Sequence, residues 1–517
     1  MQARRNEVWW VIGLLGLYLL ANLLFLTRYP LVHSDESWLG GLTRAMISNA
    51  SPAVTEPFFD LKPRYPHAIK IIFHLMQMPM IALFGYGVFP LRLLSLLASL
   101  VALALVYRCA RMDASVRFSL GMMVLVGVSA PFLTAAHMAR QEILLCAMML
   151  WLMHGLQSSG GNILPGTAVR LGCITGLSVG MHPNSFLLAV GCGLTLVCCM
   201  LLRGQLRVKP LLLYIGVTAA ITAVFVGLSF LFDAQFPTHY QRYGQSEFDL
   251  DVPLQDKLGG FAVYAANLWQ GVSGTYVLPD MKAPLLLVAI LLPAGAFLLF
   301  RTRDVRIGVP LCMTLGTLAG TVLIGRYNQL SAVLWILPCM MMIPPLCRRW
   351  RVVCACLPAA TAVLLLASLQ AIAAALPYDY QDYCGQVAAY LKPETKTLGN
   401  LNTAFYFDSD TLLDVRNLAF LAENEMTFAQ YVQSRGIEAI LWPDEMQMIY
   451  ERRPYLNALY GNPRAVPEVQ AFLREHCTYI GSFVNPGYAV RVVQEIGKGY
   501  GVKVYRVNQP AASAAQP

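Results

Sequence analysis

The sequence has 517 residues, of which 57% are hydrophobic and 13% charged, and its formal net charge is +9. Such an apolar composition excludes a water-soluble globular protein and predicts a polytopic α-helical membrane protein. The positive charge does not indicate nucleic-acid binding, because the Lys and Arg residues occur in short clusters between apolar runs, as in the loops of membrane proteins.

The first apolar run extends from Val8 to Leu26 and follows Arg4 and Arg5. No small-residue cleavage site follows it, so we expect a retained transmembrane span with the N-terminus in the cytoplasm. The next segment, residues 27–88, is then the first external loop.

This loop contains two adjacent carboxylates, Asp35 and Glu36, in a chain whose apolar two-thirds otherwise contain few acids. Ser34 is a favourable N-cap residue, so both acids are predicted in the first turn of a short helix. Acids in a first turn are stabilised by the helix dipole and need no further role. Alternatively, a carboxylate kept ionised at the membrane face accepts a proton from a substrate hydroxyl.

Residues 66–85 are apolar enough to be read as a second span, but His67, Lys70, His74 and Gln77 recur on one helical face. A Lys and a His in mid-bilayer would cost on the order of several kcal/mol. We therefore expect an amphipathic helix that lies in the outer interface of the membrane.

With this helix at the interface, spans of about 20 residues place every later basic cluster on the cytoplasmic side, as the positive-inside rule requires. This arrangement predicts about eleven spans, with the loop 233–282 and the tail after Pro377 outside. The four clusters are Arg108, Arg111 and Arg117; Arg203, Arg207 and Lys209; Arg301, Arg303 and Arg306; and Arg348, Arg349 and Arg351.

The tail has shorter apolar runs and mixed charges, and residues 436–443 and 501–507 alternate like short strands between helical stretches. The predicted organisation is a transmembrane domain over residues 1–376, a soluble α/β domain over 377–508 and a disordered tail over 509–517.

Eleven of the 13 cysteines lie in or beside apolar spans, where a thiol behaves as a small hydrophobe. Cys384 and Cys477 lie in the tail, where they could form one disulfide in an oxidising compartment or stay unpaired. Their spacing does not resemble a zinc site.

The sequence contains no Walker loop, no Gly-x-Gly-x-x-Gly fingerprint and no convincing internal repeat. Asp249-Leu250-Asp251 and Asp408-Ser409-Asp410 imitate the metal-binding Asp-x-Asp element of soluble glycosyltransferases, but two such triplets are expected by chance in a chain of this length.

The order of the predicted elements resembles that of the GT-C class of membrane glycosyltransferases. The order is one span, an external loop with Asp-Glu, an interfacial helix, further spans and a soluble tail. Within that class the chain is similar to the protein O-mannosyltransferases and the bacterial aminoarabinose transferases that modify lipid A. The motifs are Leu83-Phe84-Gly85 at the end of the interfacial helix, Phe89-Pro90-Leu91-Arg92-Leu93-Leu94, and Ala139-Arg140-Gln141-Glu142-Ile143-Leu144.

The resemblance implies an enzyme of the plasma membrane, or bacterial inner membrane, that moves a sugar from a polyprenyl-phosphate carrier to a hydroxyl of a lipid, glycan or protein acceptor at the outer face. It implies that Asp35 is the general base and that Glu36 orients Asp35 or the acceptor. The Trp-Trp-Asp element of metal-dependent oligosaccharyltransferases has only Leu441-Trp442-Pro443-Asp444 as a counterpart. We expect no metal and no other cofactor, since two acids supply too few ligands for a hard divalent cation.

The candidates for binding the donor phosphate or the substrate are mostly basic and aromatic residues at the external face. For each cation the alternative is a side chain that snorkels to the interface, and a histidine in a turn is commonly structural. The family pattern fits either Lys62 or Lys70 as the basic residue after the loop. The candidates are Lys62, Arg64, Tyr65, His67, Lys70, Arg140, Glu142, His182, Arg326 and Tyr327, with His239, Tyr240, Arg242 and Tyr243 as a lid over the substrate.

Two other functions remain open at this point. A transporter or flippase of lipid-linked sugars predicts charged residues deep within the spans, whereas ionisable groups here gather at one face. A non-catalytic scaffold with an external binding domain predicts no effect of losing the Asp35 carboxylate.

Overall fold

The computed structural model describes residues 2–248, 252–272, 274–453 and 465–508. Asp249, Asp251 and the predicted disordered tail 509–517 lie outside the described residues, as do the side chains of Arg4, Arg5 and Tyr243.

The chain up to residue 376 is almost entirely helical. Eight helices of the described residues are long and apolar enough to cross a membrane, and a ninth span results if two helices bent by 67° are counted as one. The predicted number of about eleven exceeds this count; two further apolar helices, Ile71–Phe84 and Glu142–Ser158, are shorter than the 18 residues taken as a span. This agrees with a polytopic membrane protein.

The helices of this part are α1 Gln2–Leu23, α2 Ser34–Ser48, α3 Ile71–Phe84, α4 Val88–Arg111, α5 Val116–Gly127, α6 Ala130–His137, α7 Glu142–Ser158, α8 Pro165–Val179, α9 Ser185–Leu202, α10 Val208–Phe232, α11 Phe236–Phe248, α12 Leu254–Gln270, α13 Lys282–Thr302, α14 Val305–Ile324, α15 Val333–Met340, α16 Ile343–Arg349 and α17 Arg351–Ala375. The bent pair is α5 with α6.

The interfacial helix is shorter than the sequence predicts. It begins at Ile71, and Lys70 precedes it in the left-handed region at φ 86°, so His67 and Lys70 are not on its helical face. Its polar side instead packs against α2, where Thr43 Oγ1 donates to Gln77 Oε1 at 2.6 Å and lies 2.8 Å from His74 Nδ1. The two helices of the first loop therefore form one packed unit.

The C-terminal domain is built around a five-stranded mixed sheet. Its elements are α18 Tyr380–Ala388, β1 Thr397–Gly399, β2 Leu412–Asp414, α19 Phe428–Ser434, β3 Ala439–Pro443, α20 Asp444–Arg452, α21 Ala465–His476, β4 Cys477–Val484 and β5 Gly501–Val507. The strand order is β2-β1-β3-β5-β4, with β1 parallel to β2 and β3 and with β5 antiparallel to β3 and β4. Both strands expected from the sequence are present, as β3 and β5.

The two faces of this sheet are buried against different parts of the molecule. Ile440 and Trp442 face the apolar cluster of α19, α20 and α21. Leu441 and Val504, which pair in the register of β3 and β5, face a cluster that includes Phe58 and other apolar residues of the first loop. The C-terminal domain therefore packs directly on the loop that carries the two acids.

Asn417 of this domain anchors that loop through its side-chain amide. Its Oδ1 accepts hydrogen bonds from the backbone N–H groups of Asp60, Leu61 and Lys62 at 3.2, 3.3 and 3.2 Å, and its Nδ2 donates to the carbonyl of Phe58 at 3.0 Å. One buried amide thus satisfies four backbone groups of a segment with no regular secondary structure of its own.

Cys384 and Cys477 are free thiols in this structure. They lie in α18 and β4, and each packs against a different apolar cluster. Of the two alternatives left open by the sequence, the structure has the unpaired thiols.

Candidate active site

Helix α2 begins with an unusual cap. The N-cap residue is His33 rather than the predicted Ser34: His33 Nδ1 accepts from the backbone N–H of Asp35 at 3.0 Å, and the Glu36 carboxylate accepts from the backbone N–H of His33 at 2.9 Å. This reciprocal pair is a capping box in which an imidazole replaces the usual hydroxyl. It places both acids in the first turn, as the sequence predicts.

Glu36 is completely engaged within the fold. Its side chain is 1% exposed and forms a bidentate ion pair with Arg92 of α4 at 2.7 Å for both hydrogen bonds. It also accepts from the backbone N–H of Ala139 at 2.9 Å. With these bonds and the one from His33, its four acceptor positions are all used within the fold.

Arg92 is a functional neighbour that the sequence analysis did not select. It is fully buried, and its Nη1 also donates to the carbonyl oxygens of Leu26 and Pro30 at 2.9 Å each. The signal in the sequence is an isolated Arg near the start of an apolar span, where an unpaired charge would be costly.

Asp35 is the acid that remains accessible, with 27% of its side chain exposed. Its Oδ2 accepts short hydrogen bonds from Arg140 Nη1 and from the hydroxyl of Tyr276. His33 lies beside it, 3.6 Å from Asp35 Oδ1, and stacks on the ring of Tyr276 with the centroids 3.9 Å apart. The carboxylate is therefore held on one oxygen, between groups from three separate segments.

These neighbours keep Asp35 ionised. Burial raises the pKa of Asp35, but His33 when its ring is protonated, the positive charge of Arg140, the hydrogen bond from Tyr276 and the charge of Arg491 outweigh it, and the pKa lies well below its usual range. Burial lowers the pKa of His33 to about 4, so His33 is neutral at pH 7 and the stabilisation then rests on Arg140, Tyr276 and Arg491.

Arg140 lies between α6 and α7 and connects two carboxylates. Besides Asp35, it contacts Glu142 at 3.0 Å through Nη2, and its side chain is 7% exposed. The prediction that Arg140 and Glu142 lie together at a span end agrees with this arrangement. The structure adds that the guanidinium is shared between Glu142 and Asp35.

A group of cations adjoins this pair. The positive charges of Lys70, Arg140 and Arg326 all act on the ring of His182, and with burial they hold its pKa well below the usual range. Burial also lowers the pKa of Lys70 to about 8, opposed by Glu56 and assisted by Arg64, Arg326 and Arg140. Three predicted cations, Lys70, Arg140 and Arg326, therefore lie around the neutral ring of the predicted residue His182, and we call the three cations the cationic group.

Two buried ring nitrogens near Lys70 lack hydrogen-bond partners within the described part of the chain. They are Nδ1 of His67 and Nε2 of His74, and Lys70 acts electrostatically on both rings. Buried polar atoms are normally paired, and of these two residues His67 also lines the cleft formed with Tyr65 and His239.

Lys62 and Arg64 lie around the indole of Trp38, and Arg64 is also close enough to Lys70 to act on its pKa. Lys62 Nζ lies 5.4 Å and Arg64 Cζ 5.0 Å from the ring centroid, and Arg64 also pairs with Glu56 at 2.8 Å. The structure therefore brings Lys70, and not Lys62, into the cationic group with Arg140.

The aromatic candidates Tyr65 and His239 stack with their centroids 3.6 Å apart, and His239 is 2.7 Å from Asp233. With Arg64, His67 and Tyr240 among their neighbours, they line a cleft of about 320 Å³ including open solvent. The predicted lid residues His239, Tyr240 and Arg242 are part of helix α11 rather than of an open loop.

Tyr327 does not join its neighbour Arg326 in the site. Its hydroxyl donates to the carbonyl of Lys257, and its ring stacks on Tyr264 with the centroids 5.4 Å apart. Its contacts tie α12 to the segment after α14.

A cleft of about 430 Å³, including open solvent, lies between the first loop, the loop that carries Tyr276, and the C-terminal domain. Its polar lining includes His33 and Tyr276 on one side and Asn402 and Arg491 on the other. Sequence reasoning missed Tyr276 and Arg491, because each reaches the site from a segment with no distinctive motif. Among the described residues, no three His, Cys, Asp or Glu side chains are grouped closely enough to hold a metal ion.

Neither protein-family models nor curated protein sequences match this chain. Solved structures do. The archaeal oligosaccharyltransferase AglB from Archaeoglobus fulgidus, in complex with an inhibitory peptide and a dolichol-phosphate, superposes with a TM-score of 0.54 at 12% identity, over 96% of this chain and 75% of that one. The Archaeoglobus fulgidus oligosaccharyltransferase complex with Zn and sulfate gives 0.56 at 12% identity, over 90% and 71%.

ArnT from Cupriavidus metallidurans bound to undecaprenyl phosphate matches 98% of this chain and 99% of its own, at 18% identity and a TM-score of 0.49. The matches to the oligosaccharyltransferase structures are evidence about the fold alone. They show that this chain has the GT-C fold, which polytopic membrane glycosyltransferases share.

Proposed function

We propose that this protein is a membrane glycosyltransferase that moves a sugar from a polyprenyl-phosphate carrier to a hydroxyl of a lipid, glycan or protein acceptor. The observation that carries the proposal is the ionised, partly exposed Asp35 carboxylate beside the cationic group. A base and an anion-binding group side by side are the two elements that glycosyl transfer from a phosphate requires.

In the reaction, the bond between the sugar anomeric carbon and the phosphate oxygen breaks while the acceptor oxygen bonds to that carbon. The acceptor proton passes to Asp35, and the bond electrons leave with the polyprenyl phosphate. Lys70, Arg140 and Arg326 are the cations available to stabilise this charge, and Nδ1 of His67 is a further donor in the tautomer that carries its proton.

Arg140 connects the two functions. While it is bonded to Asp35, the carboxylate has a very low pKa and is a weak base. A donor phosphate offers Arg140 a further anionic partner besides Asp35 and Glu142, so donor binding weakens its hold on Asp35 and raises the basicity of that carboxylate. Deprotonation of the acceptor is thereby favoured when the donor is in place.

The carrier tail has a suitable position nearby. A groove of about 1490 Å³, open to its surroundings and lined mainly by apolar residues, lies between α9 and α10 and reaches Val226. Val226 packs against the apolar cluster of Ile69, Phe225 and Phe236, and Ile69 is next to Lys70 in the chain. AglB, which shares the fold, was solved with a dolichol-phosphate, and a long-chain carrier of that kind fits such a groove.

The proposal is tested in a deletion strain that is complemented with wild type, Asp35→Asn or Asp382→Asn. The product is measured by mass spectrometry of envelope glycolipids, glycans and proteins. Asp382 is an exposed aspartate of α18 and is the matched control. We expect Asp35→Asn to reduce the glycosylated product by about 10²-fold or more at normal membrane levels, in line with loss of a general base. Equal product from Asp35→Asn and wild type would favour the scaffold.

Purified protein in detergent separates the transferase from a transporter, because micelles have no compartments to transport between. Formation of product from extracted donor and acceptor supports the transferase. Product that forms only in sealed membranes supports a transporter that supplies another enzyme.

We also propose that the N-terminus is cytoplasmic and that the C-terminal domain, residues 377–508, is on the periplasmic or extracellular side of a bacterial inner membrane. The four basic clusters support this orientation. A reporter fused after Pro377 should be active outside, and one fused at Arg349 active in the cytoplasm; the reverse pattern contradicts the orientation.

A further inference from the structure

One segment of the C-terminal domain, residues 485–496, contacts both loops that carry the proposed base and its tyrosine partner. We call it the strap. The hydroxyl of Tyr488 accepts from the backbone N–H of Val32 at 3.3 Å, and the backbone N–H of Val493 donates to the carbonyl of Gly274 at 2.8 Å. The strap therefore links the first external loop to the loop that precedes α13.

Arg491 is the charged residue that the strap carries into this junction. The residue is 6% exposed, and its Nη2 donates to Ser34 Oγ at 2.7 Å. Ser34 is the first residue of α2, adjacent to Asp35, and is itself 1% exposed. A cation from the C-terminal domain thus bonds to the residue next to the proposed base.

The position of Arg491 is fixed from behind by a buried carboxylate. Glu445, which is fully buried in the first turn of α20, accepts from the backbone N–H of Arg491 at 2.9 and 3.0 Å and from that of Val492 at 2.9 Å. These bonds hold the strap backbone on a regular helix, so the guanidinium is presented to Ser34 by a rigid support.

Arg491 also affects the electrostatics of the site. The groups that face Asp35 are His33, Arg140, Tyr276 and Arg491, each from a different segment. Like Arg140, Arg491 favours the ionised form of Asp35, and it disfavours protonation of His33. Its contribution to the site is a charge as well as a hydrogen bond.

We propose that Arg491 is a positioning residue of the transferase, through which the C-terminal domain holds the first turn of α2, and with it Asp35, in the orientation required for catalysis. The inference rests on the proposed function and extends it, because it makes the C-terminal domain part of the active site.

The test uses full-length purified protein added to membranes of the deletion strain, which supply donor and acceptor, with the rate of product formation measured between pH 4 and 9. The variants are Arg491→Ala, Arg491→Lys, Ser34→Ala and the pair Ser34→Ala with Arg491→Ala. Arg474→Ala, at an exposed arginine of α21 in the same domain, is the matched control. Affinity for undecaprenyl phosphate is measured on the same preparations.

We expect Arg491→Ala to lower the rate by about tenfold or more, as misplacement of a reacting group does, with undecaprenyl phosphate affinity within about twofold of wild type because the cationic group is intact. The acid limb of its pH profile, which reports Asp35 in the donor complex where Arg140 holds that carboxylate less tightly, should move to higher pH, since a charge that lowers the pKa of Asp35 is lost. Arg491→Lys should keep the acid limb, because it keeps the charge, while remaining slower than wild type because its geometry differs.

The double variant should be no slower than Arg491→Ala, because both changes remove the same bond. Arg474→Ala should behave as wild type.

If Arg491→Ala has the rate and pH profile of wild type, the inference is overturned. A lower rate with an acid limb at the wild-type pH also overturns it, because that result indicates an arginine with a structural role alone. If Arg491→Ala fails to fold, Ser34→Ala and Arg491→Lys decide, and wild-type rates in both overturn it. Absence of product from the wild-type protein refutes the proposed function itself, and the inference with it.

Discussion

The pairing of Glu36 with Arg92 predicts that the two adjacent acids of α2 respond differently to loss of charge. Glu36→Gln keeps the shape of the side chain but leaves the fully buried Arg92 guanidinium without its counter-ion. Breaking a buried ion pair from one side costs about 3–5 kcal/mol. An amide nitrogen also replaces an oxygen that accepts hydrogen bonds, so at least one buried donor loses its acceptor.

Asp35→Asn should differ in both respects. Asp35 is partly exposed, and Arg140 still pairs with Glu142 when the Asp35 charge is removed. We therefore expect its free energy of unfolding to stay within about 1 kcal/mol of wild type, while product formation is lost.

The assay is unfolding by SDS in mixed micelles, followed by tryptophan fluorescence, combined with mass spectrometry of the product. Glu36→Gln with Arg92→Met should recover part of the lost stability, because the guanidinium is then no longer buried without a partner. Recovery should be partial, since the carbonyls of Leu26 and Pro30 lose their donor. A Glu36→Gln protein of wild-type stability that forms no product would falsify the structural role and place Glu36 in the chemistry.

Further predictions follow from other contacts. Affinity for undecaprenyl phosphate should fall as the pH rises through about 8 and Lys70 loses its proton. In Lys70→Met the affinity should be weaker and insensitive to pH in this range. A pH dependence like that of wild type would exclude Lys70 as the group responsible. Asn417→Ala should lower the free energy of unfolding by about 1–3 kcal/mol and raise the rate of hydrogen exchange at the backbone N–H of Leu61. An unaltered exchange rate there would show that the amide does not anchor the loop. Cys384 and Cys477 should both react with a thiol reagent in the unfolded protein without prior reduction; reaction only after reduction would show a disulfide.

Part of this site is predictable from the sequence because its residues carry local signals. Two acids in one turn, and an Arg with a Glu two residues later at a span end, stand out against apolar surroundings, and these signals led to Asp35, Arg140 and Glu142. The different roles of Asp35 and Glu36 are not predictable in this way. They depend on Arg92, whose position inside an apolar helix gives no indication of its partner.

Other parts were not predictable because they depend on distant contacts. Tyr276 contacts Asp35 from 241 positions further along the chain, and Arg491 contacts Ser34 from 457 positions further. The cap is a local exception: an imidazole takes the place that Ser34 would normally occupy, because the Glu36 carboxylate completes the reciprocal bond with His33. The length of α3 was overestimated because the polar residues at 67 and 70 continue the periodicity of the helix without being part of it.

The strap also constrains the order in which a newly made molecule becomes active. The base is made early, whereas Arg491 follows every membrane helix of the described residues. A chain interrupted between Ala375 and Arg491 therefore has those helices but lacks this contact. On our proposal, such a molecule is held in the membrane without being catalytically competent.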